Sequence, residues 1–277
     1  MIKMLNWFAR LMTLAVSEPA SGGAEGAAAV PWKVGEVVAV GGIYPYDMYR
    51  KFLGVTAEGE YLVQAFYKDG DVKYSDPYRL KRAADVTAFL FDKNQSVRAL
   101  FNRSIEGPYV LWHINGQKFC ESQFENGFAQ GLFSRWWANG QKAEEGLCAN
   151  GREQGRWVSW YDNGQESRSG EYINGLMEGR WLFWYDNGQK ECEGDFANGK
   201  TQGEWSFWYN NGMKRAFCHC QEDQWHGTWM LWHPNGQKWK EGEYRHDEKV
   251  GHWREWDKNG VLVEEDDFGP GSDGAGA

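Results

Sequence analysis

Hydrophobic and polar residues are arranged along residues 107–268 in a pattern that repeats every 24 residues. In the fullest unit, an aromatic-rich run over 181–185 is followed by a polar turn at 186–188 and a second run over 190–196. Aromatic residues favour strands, and Asn-Gly between two such runs is a strong hairpin signal because both residues tolerate positive φ. Each unit is therefore predicted to form one β-hairpin. A second Asn-Gly at 198–199 is predicted to turn the chain into the next unit.

Three residue types mark the period. When the opening glycine of a unit is numbered position 1, a tryptophan follows at position 6 and Asn-Gly at positions 9 and 10 in all seven units. The opening glycines are Gly107, Gly131, Gly155, Gly179, Gly203, Gly227 and Gly251. A fixed period predicts a repeat protein, here a mainly β, elongated antiparallel meander of seven hairpins and fourteen strands. Such arrays offer extended binding surfaces more often than a catalytic pocket.

Both faces of the predicted sheet carry aromatic rings. Trp181 and Trp184 are three residues apart, so they point to opposite faces of a strand. Glycines recur at position 16 of four units: Gly146, Gly170, Gly194 and Gly242. A glycine inside a strand often marks a close approach, so these glycines are predicted to leave room for a neighbouring ring. No apolar stripe with helical spacing occurs in the array, so no helix is predicted there.

The last unit ends in the acidic run 264–267. Charge on an exposed edge strand discourages further pairing, so the run is predicted to cap the array. An interaction tail is the alternative interpretation. Residues 269–277 are predicted to be a disordered tail.

The repeated pattern Gly-x-Trp-x-x-Trp-Tyr-x-Asn-Gly-Gln-Lys-x-x-Glu-Gly-x-Tyr-x-Asn-Gly, clearest at 155–178 and 179–202, resembles the MORN-repeat variant. The resemblance covers residues 107–268. Bacterial proteins that carry this variant are commonly grouped as YwqK-like antitoxins. The resemblance implies a protein–protein interaction module, antitoxin-like or immunity-like, and it brings no catalytic motif. MORN-type repeats also occur in membrane-junction proteins and scaffolds, so a membrane-associated scaffold is an alternative.

The first thirty residues differ in composition from the array. Residues 1–16 have apolar residues at helical spacing and two cations, Lys3 and Arg10, which predicts an amphipathic helix that packs on the protein or contacts a membrane surface. This segment is too short to span a bilayer, and a weak cleaved export signal is the alternative. Residues 17–30, rich in Ala, Gly and Ser, are predicted to be a flexible linker.

Residues 31–85 are predicted to be a separate small β unit whose spacing resembles an SH3-like or Tudor-like barrel. Aromatic rings in such barrels can form a cage for a cationic side chain. The candidate rings are Tyr44, Tyr46, Phe66, Tyr67 and Tyr74. The alternative is that these rings form a barrel core with surface tyrosines. Residues 86–106 are interpreted as a degenerate repeat that covers the first edge of the array.

The acidic charge of the chain lies in the array. Between residues 107 and 268 there are 17 Lys and Arg against 26 Asp and Glu, so the array carries −9, as does the whole chain. Nucleic acids and anionic bilayers attract basic surfaces, so neither is the expected partner of the array. A protein with a basic surface is expected instead.

The positions of the five cysteines in the repeat do not predict disulfide bonds. Cys120 and Cys192 occupy one repeat position three units apart, as do Cys148 and Cys220, which is too far for a disulfide. Reduced cysteines are typical of a cytoplasmic protein. The sequence 218–220, Cys-His-Cys, lacks the further ligands of a zinc set, so no metal and no cofactor is expected.

The candidate partner-binding residues stand at position 7. This column varies more than the tryptophans of position 6, which are interpreted as cross-strand stabilisers. Its members before the last unit are His113, Trp137, Tyr161, Tyr185, Tyr209 and His233. Extracellular carbohydrate or choline-type cell-wall binding through exposed rings is the alternative function. The sequence contains no nucleophile motif, phosphate-binding loop or set of metal ligands that would predict an enzyme. No catalytic residue is therefore assigned.

Overall fold

The computed structural model describes residues 30–43, 46–87 and 104–270. The chain divides into a unit of residues 1–31 and a unit of residues 32–277, and every element below belongs to the second. The predictions for the segments 1–16 and 17–29, and for residues 271–277, lie outside the described residues.

The described residues form one open antiparallel sheet in which each strand pairs with the next along the chain. The strands before the array are β1 (Val37–Ile43), β2 (Tyr46–Val55), β3 (Tyr61–Tyr67) and β4 (Tyr78–Leu80). The array contains β5 (Ile105–Trp112), β6 (Lys118–Glu125), β7 (Phe128–Trp136), β8 (Lys142–Ala149), β9 (Arg152–Trp160), β10 (Glu166–Ile173), β11 (Leu176–Trp184), β12 (Lys190–Ala197), β13 (Lys200–Trp208), β14 (Lys214–Gln221), β15 (Gln224–Trp232), β16 (Lys238–Arg245), β17 (Glu248–Trp256) and β18 (Leu262–Asp267). A 3-10 turn (Asp69–Asp71) and a short helix, α1 (Ala83–Thr87), precede the array.

The fourteen strands β5–β18 are the seven predicted hairpins, and no helix interrupts them. Each unit has two Asn-Gly-type turns, and the asparagine has a different role in each. At position 20 and 21 both residues have positive φ, as at Asn198 (52°) and Gly199 (78°), the geometry expected for Asn-Gly in a two-residue hairpin turn. At positions 9 and 10 only the glycine does, as at Gly188 (79°). Asn187 instead acts through its side chain, which accepts from the amide of Gln189 at 3.0 Å.

The strands bend at the opening glycine of each unit. Beside Gly203 (φ 68°), Glu193 pairs with Ser206 and Asp195 with Gln202, so three residues on β13 oppose one on β12. A bulge of this kind kinks its strand. The bend brings the ring of Trp205, at position 3, over Gly194 of the preceding hairpin, where an added Cβ would lie 2.1 Å from the indole. The prediction that these glycines make room for a ring is confirmed.

The core is a row of rings on one face of the sheet. The position 3 residues are all at most 8% exposed: Tyr109, Phe133, Trp157, Trp181, Trp205, Trp229 and Trp253. In five units position 18 is Phe or Tyr, whose ring meets a position 3 ring edge to face, and in the other two it is cysteine. Tyr172 lies 5.0 Å from Trp181, and Phe196 lies 5.2 Å from Trp205. Such pairs add about 0.5–1.5 kcal/mol beyond the area that they bury.

Strands β1–β4 continue the array sheet rather than closing on themselves. β4 pairs with β5 through Leu80 and Ile105, and the segment 74–76 also bonds to β5, with the amide of Trp112 donating to Tyr74 O at 2.8 Å. Among the described residues no strand pairing closes a barrel, so the predicted SH3-like closure is not found. The edge of β5 is covered by these residues, whereas most of the predicted covering repeat, 88–103, lies outside the described residues.

Candidate interaction site

The face opposite the core carries the tryptophans of position 6, and every one of them is half-buried. A lysine from position 12 of the preceding unit places its ammonium over most of these rings. The Nζ-to-centroid distances are 5.0 Å for Lys118 and Trp136, 6.0 Å for Lys142 and Trp160, 5.1 Å for Lys190 and Trp208, 5.1 Å for Lys214 and Trp232, and 5.4 Å for Lys238 and Trp256. Lys73 takes the same place over Trp112 at 3.8 Å. These contacts lie within cation–π range.

Most of these lysines also form an ion pair with a glutamate at position 15. Lys190 lies 2.7 Å from Glu193, and Lys142 pairs with Glu145. The hydrogen bond from Lys142 lowers the pKa of Glu145. Exposed pairs contribute about 0–1 kcal/mol each, so the main consequence is geometric. Four of the five lysines are thus held in place between a carboxylate and an indole.

The third unit breaks this pattern. Position 12 there is Glu166 and position 15 is Ser169. Position 12 of the third unit therefore supplies no lysine to Trp184, and no cation from residues 30–43, 46–87 and 104–270 lies over that ring. Ser169 is buried between Val158 and Leu182 on the neighbouring strands. The half-buried Glu166 takes part in no ion pair within the described part of the chain. A carboxylate and an indole without a cation thus lie on this face beside Val158 and Leu182.

The six candidate residues of position 7 form a row in which each ring reaches the next unit. Their tips donate hydrogen bonds to the main-chain oxygen of the next position 6 tryptophan. The distances are 3.0 Å for His113, 2.9 Å for Trp137, 2.7 Å for Tyr161, 2.8 Å for Tyr185, 2.8 Å for Tyr209 and 3.0 Å for His233. The column varies among His, Trp and Tyr, which share a donor at the ring tip. Partner binding by this column stays a prediction, and only the faces of these rings remain to meet a partner.

The position 7 residue of the last unit, Asp257, makes a different set of hydrogen bonds. Asp257 has no following unit, and its carboxylate instead accepts from the amides of Asn259 and Val261 at 2.9 Å each. The main-chain hydrogen bonds of this turn lower the pKa of Asp257. Position 7 therefore links units where a next unit exists and closes the turn where none does.

The N-terminal cage candidates do not surround one open space among the described residues. Tyr44 lies outside the described residues, as does the side chain of Tyr46. Phe66 stacks on Tyr49 with centroids 5.3 Å apart, and the ammonium of Lys51 lies 5.1 Å from its ring. The rings of Tyr67 and Tyr74 are buried, edge to face at 5.3 Å. Phe66 thus holds a cation of its own chain, whereas the two tyrosines belong to the core.

The cysteines are all free. Cys218 and Cys220 lie on one face with sulfurs 3.9 Å apart, as strand alternation predicts. No group of three or more His, Cys, Asp or Glu side chains within 30–43, 46–87 and 104–270 is placed to hold a metal ion. In the same residues no helix is long and apolar enough to cross a membrane.

Sequence reasoning missed the lysine-on-tryptophan contacts. The two residues are 18 positions apart and belong to different units, so neither strand alternation nor turn spacing reveals the contact. The available signal was the recurrence of lysine at position 12, interrupted at Glu166 in the third unit and at Leu262 in the last.

Together these features define an open, single-sheet β-hairpin repeat protein with one aromatic core face and one face of alternating rings and charges. The family model described as MORN repeat variant matches three segments: 177–198, 225–246 and 249–268. Their starts differ by two periods and by one period, so the matches share the phase of the 24-residue repeat. MORN repeats are in general non-enzymatic modules for interaction with proteins or membranes. Sequence comparison found no match to a curated protein.

Proposed function

We propose that the chain is a non-catalytic interaction module whose array binds a protein with a basic surface. The observation that carries this proposal is the charge of the array, with 26 acidic against 17 basic residues on a sheet that leaves one face open. A net charge of one sign on the whole array steers an oppositely charged partner and disfavours partners of like charge. The half-buried tryptophans on that face add the residue type most enriched in binding hot spots.

The more specific form of the proposal is an antitoxin-like or immunity-like role in the cytoplasm. The resemblance to the MORN-repeat variant supports the role, and five free cysteines support the compartment. The cell-wall alternative has less support, because six position 6 rings are already occupied by lysines of the same chain. A sugar or choline group would have to displace those lysines before it could stack.

Photo-crosslinking tests the interaction role. A photoreactive amino acid at Met230, on the face of the position 6 tryptophans, is expected to capture a protein whose crosslinked segment is basic. The same amino acid at Val55, which is exposed at the end of β2 and lies outside the array, is the control and should capture much less. Equal capture at both sites, or none at Met230, would contradict the proposal.

The antitoxin-like role has its own test. The product of the adjacent gene should form a stable complex with the full chain. Its affinity should fall as salt rises, because exposed charge pairs are screened. Absence of a complex would reject this specific role and leave the general one standing.

A further inference from the structure

We propose that the junction of the third and fourth units contains a recognition site for a lysine or arginine side chain of the partner protein, centred on Glu166 of the third unit and Trp184 of the fourth. This inference rests on the interaction role proposed above and names the place where it is exerted. The site consists of an indole without a cation, a carboxylate without an ion pair, and an apolar floor formed by Val158 and Leu182.

The array itself shows what this place binds. In five other pairs of units, an ammonium group lies 5.0–6.0 Å from the centre of the position 6 ring. Rings with the same backbone setting therefore accept a cation, and among the described residues no cation lies over Trp184. The partner's side chain would fill the place that Lys142 fills over Trp160 and Lys190 fills over Trp208.

The charge of the residues near Trp184 also favours a lysine or arginine side chain. At positions 12 and 15 a standard unit places one lysine and one glutamate on this face, which sum to zero. The third unit places Glu166 and the buried Ser169 there, which leaves one negative charge. A cation arriving over Trp184 would compensate it. Unlike a cation that approached Trp208, it would displace no lysine and would break no pair such as Lys190–Glu193.

The floor of the site suits a long cationic side chain. Ser169 pairs with Val158 on one side and with Leu182 on the other, so the space between two apolar residues holds no carboxylate. Lysine and arginine lay their methylene stems on apolar surface while the charged end stays near water. A short cation without a stem would use only the ring and the carboxylate.

The test restores the standard pattern and thereby fills the site from within. In the double variant Glu166→Lys with Ser169→Glu, the new lysine should lie over Trp184 and pair with the new glutamate. This variant follows the sequence of the neighbouring units, so it is expected to fold at least as well as the parent. Its net charge rises by one, and Glu248→Gln, an exposed site in β17, is the control with the same change.

The probe is fluorescein-labelled octalysine, titrated against the full chain by fluorescence anisotropy at 150 mM salt. The double variant should bind octalysine at least about tenfold more weakly, and Glu248→Gln within about twofold of the parent. Trp184→Leu should weaken binding about tenfold, whereas Trp208→Leu, at a ring already occupied by Lys190, should change it less than threefold. These ratios follow from losing one aromatic and one charged contact.

Two results would overturn the site and leave the interaction role standing. In the first, the double variant and Glu248→Gln weaken octalysine binding equally, which would mean that overall charge alone attracts the peptide. In the second, octalysine does not bind although Met230 captures a partner. Failure of both octalysine binding and capture at Met230 would reject the interaction role together with the site.

Discussion

Replacing Gly194 with alanine is expected to destabilise the array, because the buried ring of Trp205 occupies the space that the new methyl group needs. The added Cβ would lie 2.1 Å from Cδ2 and 2.2 Å from Cε2 of the indole, whereas carbon atoms in contact are about 3.5–4.0 Å apart. Trp205 is only 2% exposed, so the ring has little room to move. The φ of Gly194 is not positive, so crowding rather than backbone strain would cause the loss.

The magnitude follows from two opposing effects. Overpacking of a core costs about 1–3 kcal/mol, and a ring this enclosed places Gly194→Ala near the upper end. Alanine regains about 0.5–1 kcal/mol, because glycine loses more backbone freedom on folding. The net loss is therefore about 2 kcal/mol. For a chain of this size it corresponds to a fall in Tm of about 4–8 °C.

Thermal unfolding followed by circular dichroism measures this loss, and hydrogen exchange shows whether it is confined to β12 and β13. Ser122→Ala is the matched control. It changes position 16 of the first unit, where the facing ring is the smaller Phe133, and should alter stability by less than about 1 kcal/mol. The double variant Gly194→Ala with Trp205→Phe imitates that unit and should recover part of the loss. A loss below about 0.5 kcal/mol, or no recovery in the double variant, would refute the reasoning.

Three further predictions concern single residues. Tyr209→Phe removes the 2.8 Å hydrogen bond to the main-chain oxygen of Trp232 and should cost about 0.5–1.5 kcal/mol in urea unfolding; an unchanged midpoint would show that water replaces the hydroxyl. Glu222 has φ 49°, a conformation that asparagine adopts more readily, so Glu222→Asn should raise Tm, and a lower Tm would contradict this. Burial raises the pKa of the Cys120 thiol from 9.0 to about 12. The folded chain keeps a proton that the unfolded chain releases, so this contribution to stability is complete below pH 9 and is lost between pH 9 and 12. Alkylation of Cys120 at pH 8.5, followed by mass spectrometry, should be slow in the folded chain and fast in urea.

The repeat fold was predictable because its determinants are local. The turn at Asn198 and Gly199 needs two residues that accept positive φ, and the sequence places them between two strand-forming runs. The close approach at Gly194 was predictable for the same reason, because the ring that covers it, Trp205, follows only 11 residues later in the chain. The pairing of β4 with β5 was not predictable. Leu80 meets Ile105 across 25 residues, and no turn signal between them sets that register.

The hydrogen bonds that position 7 residues make to the next unit depend on a register shift that residue spacing does not reveal. The ladder slips by one residue beside each position 6 tryptophan, as between Phe183 and Trp184. The main-chain oxygen of Trp184 accepts the hydroxyl of Tyr161 from the preceding unit. The sequence shows a column of His, Trp and Tyr, which suits a recognition surface equally well. Only the hydrogen bonds show that its variation is limited to side chains with a donor at the tip.

An open sheet with one core face must also protect its other face from unwanted contacts. Seven indoles in a row would form the kind of apolar patch that promotes association, and the stems of the position 12 lysines reduce the exposed ring area. A ligand that approaches Trp208 must therefore displace Lys190 and break its pair with Glu193. At Trp184 neither barrier exists. If the partner is cationic as proposed, the arrangement that protects six rings makes the junction of the third and fourth units the place where it loses least on binding, so selectivity along a uniform array can arise from one altered unit.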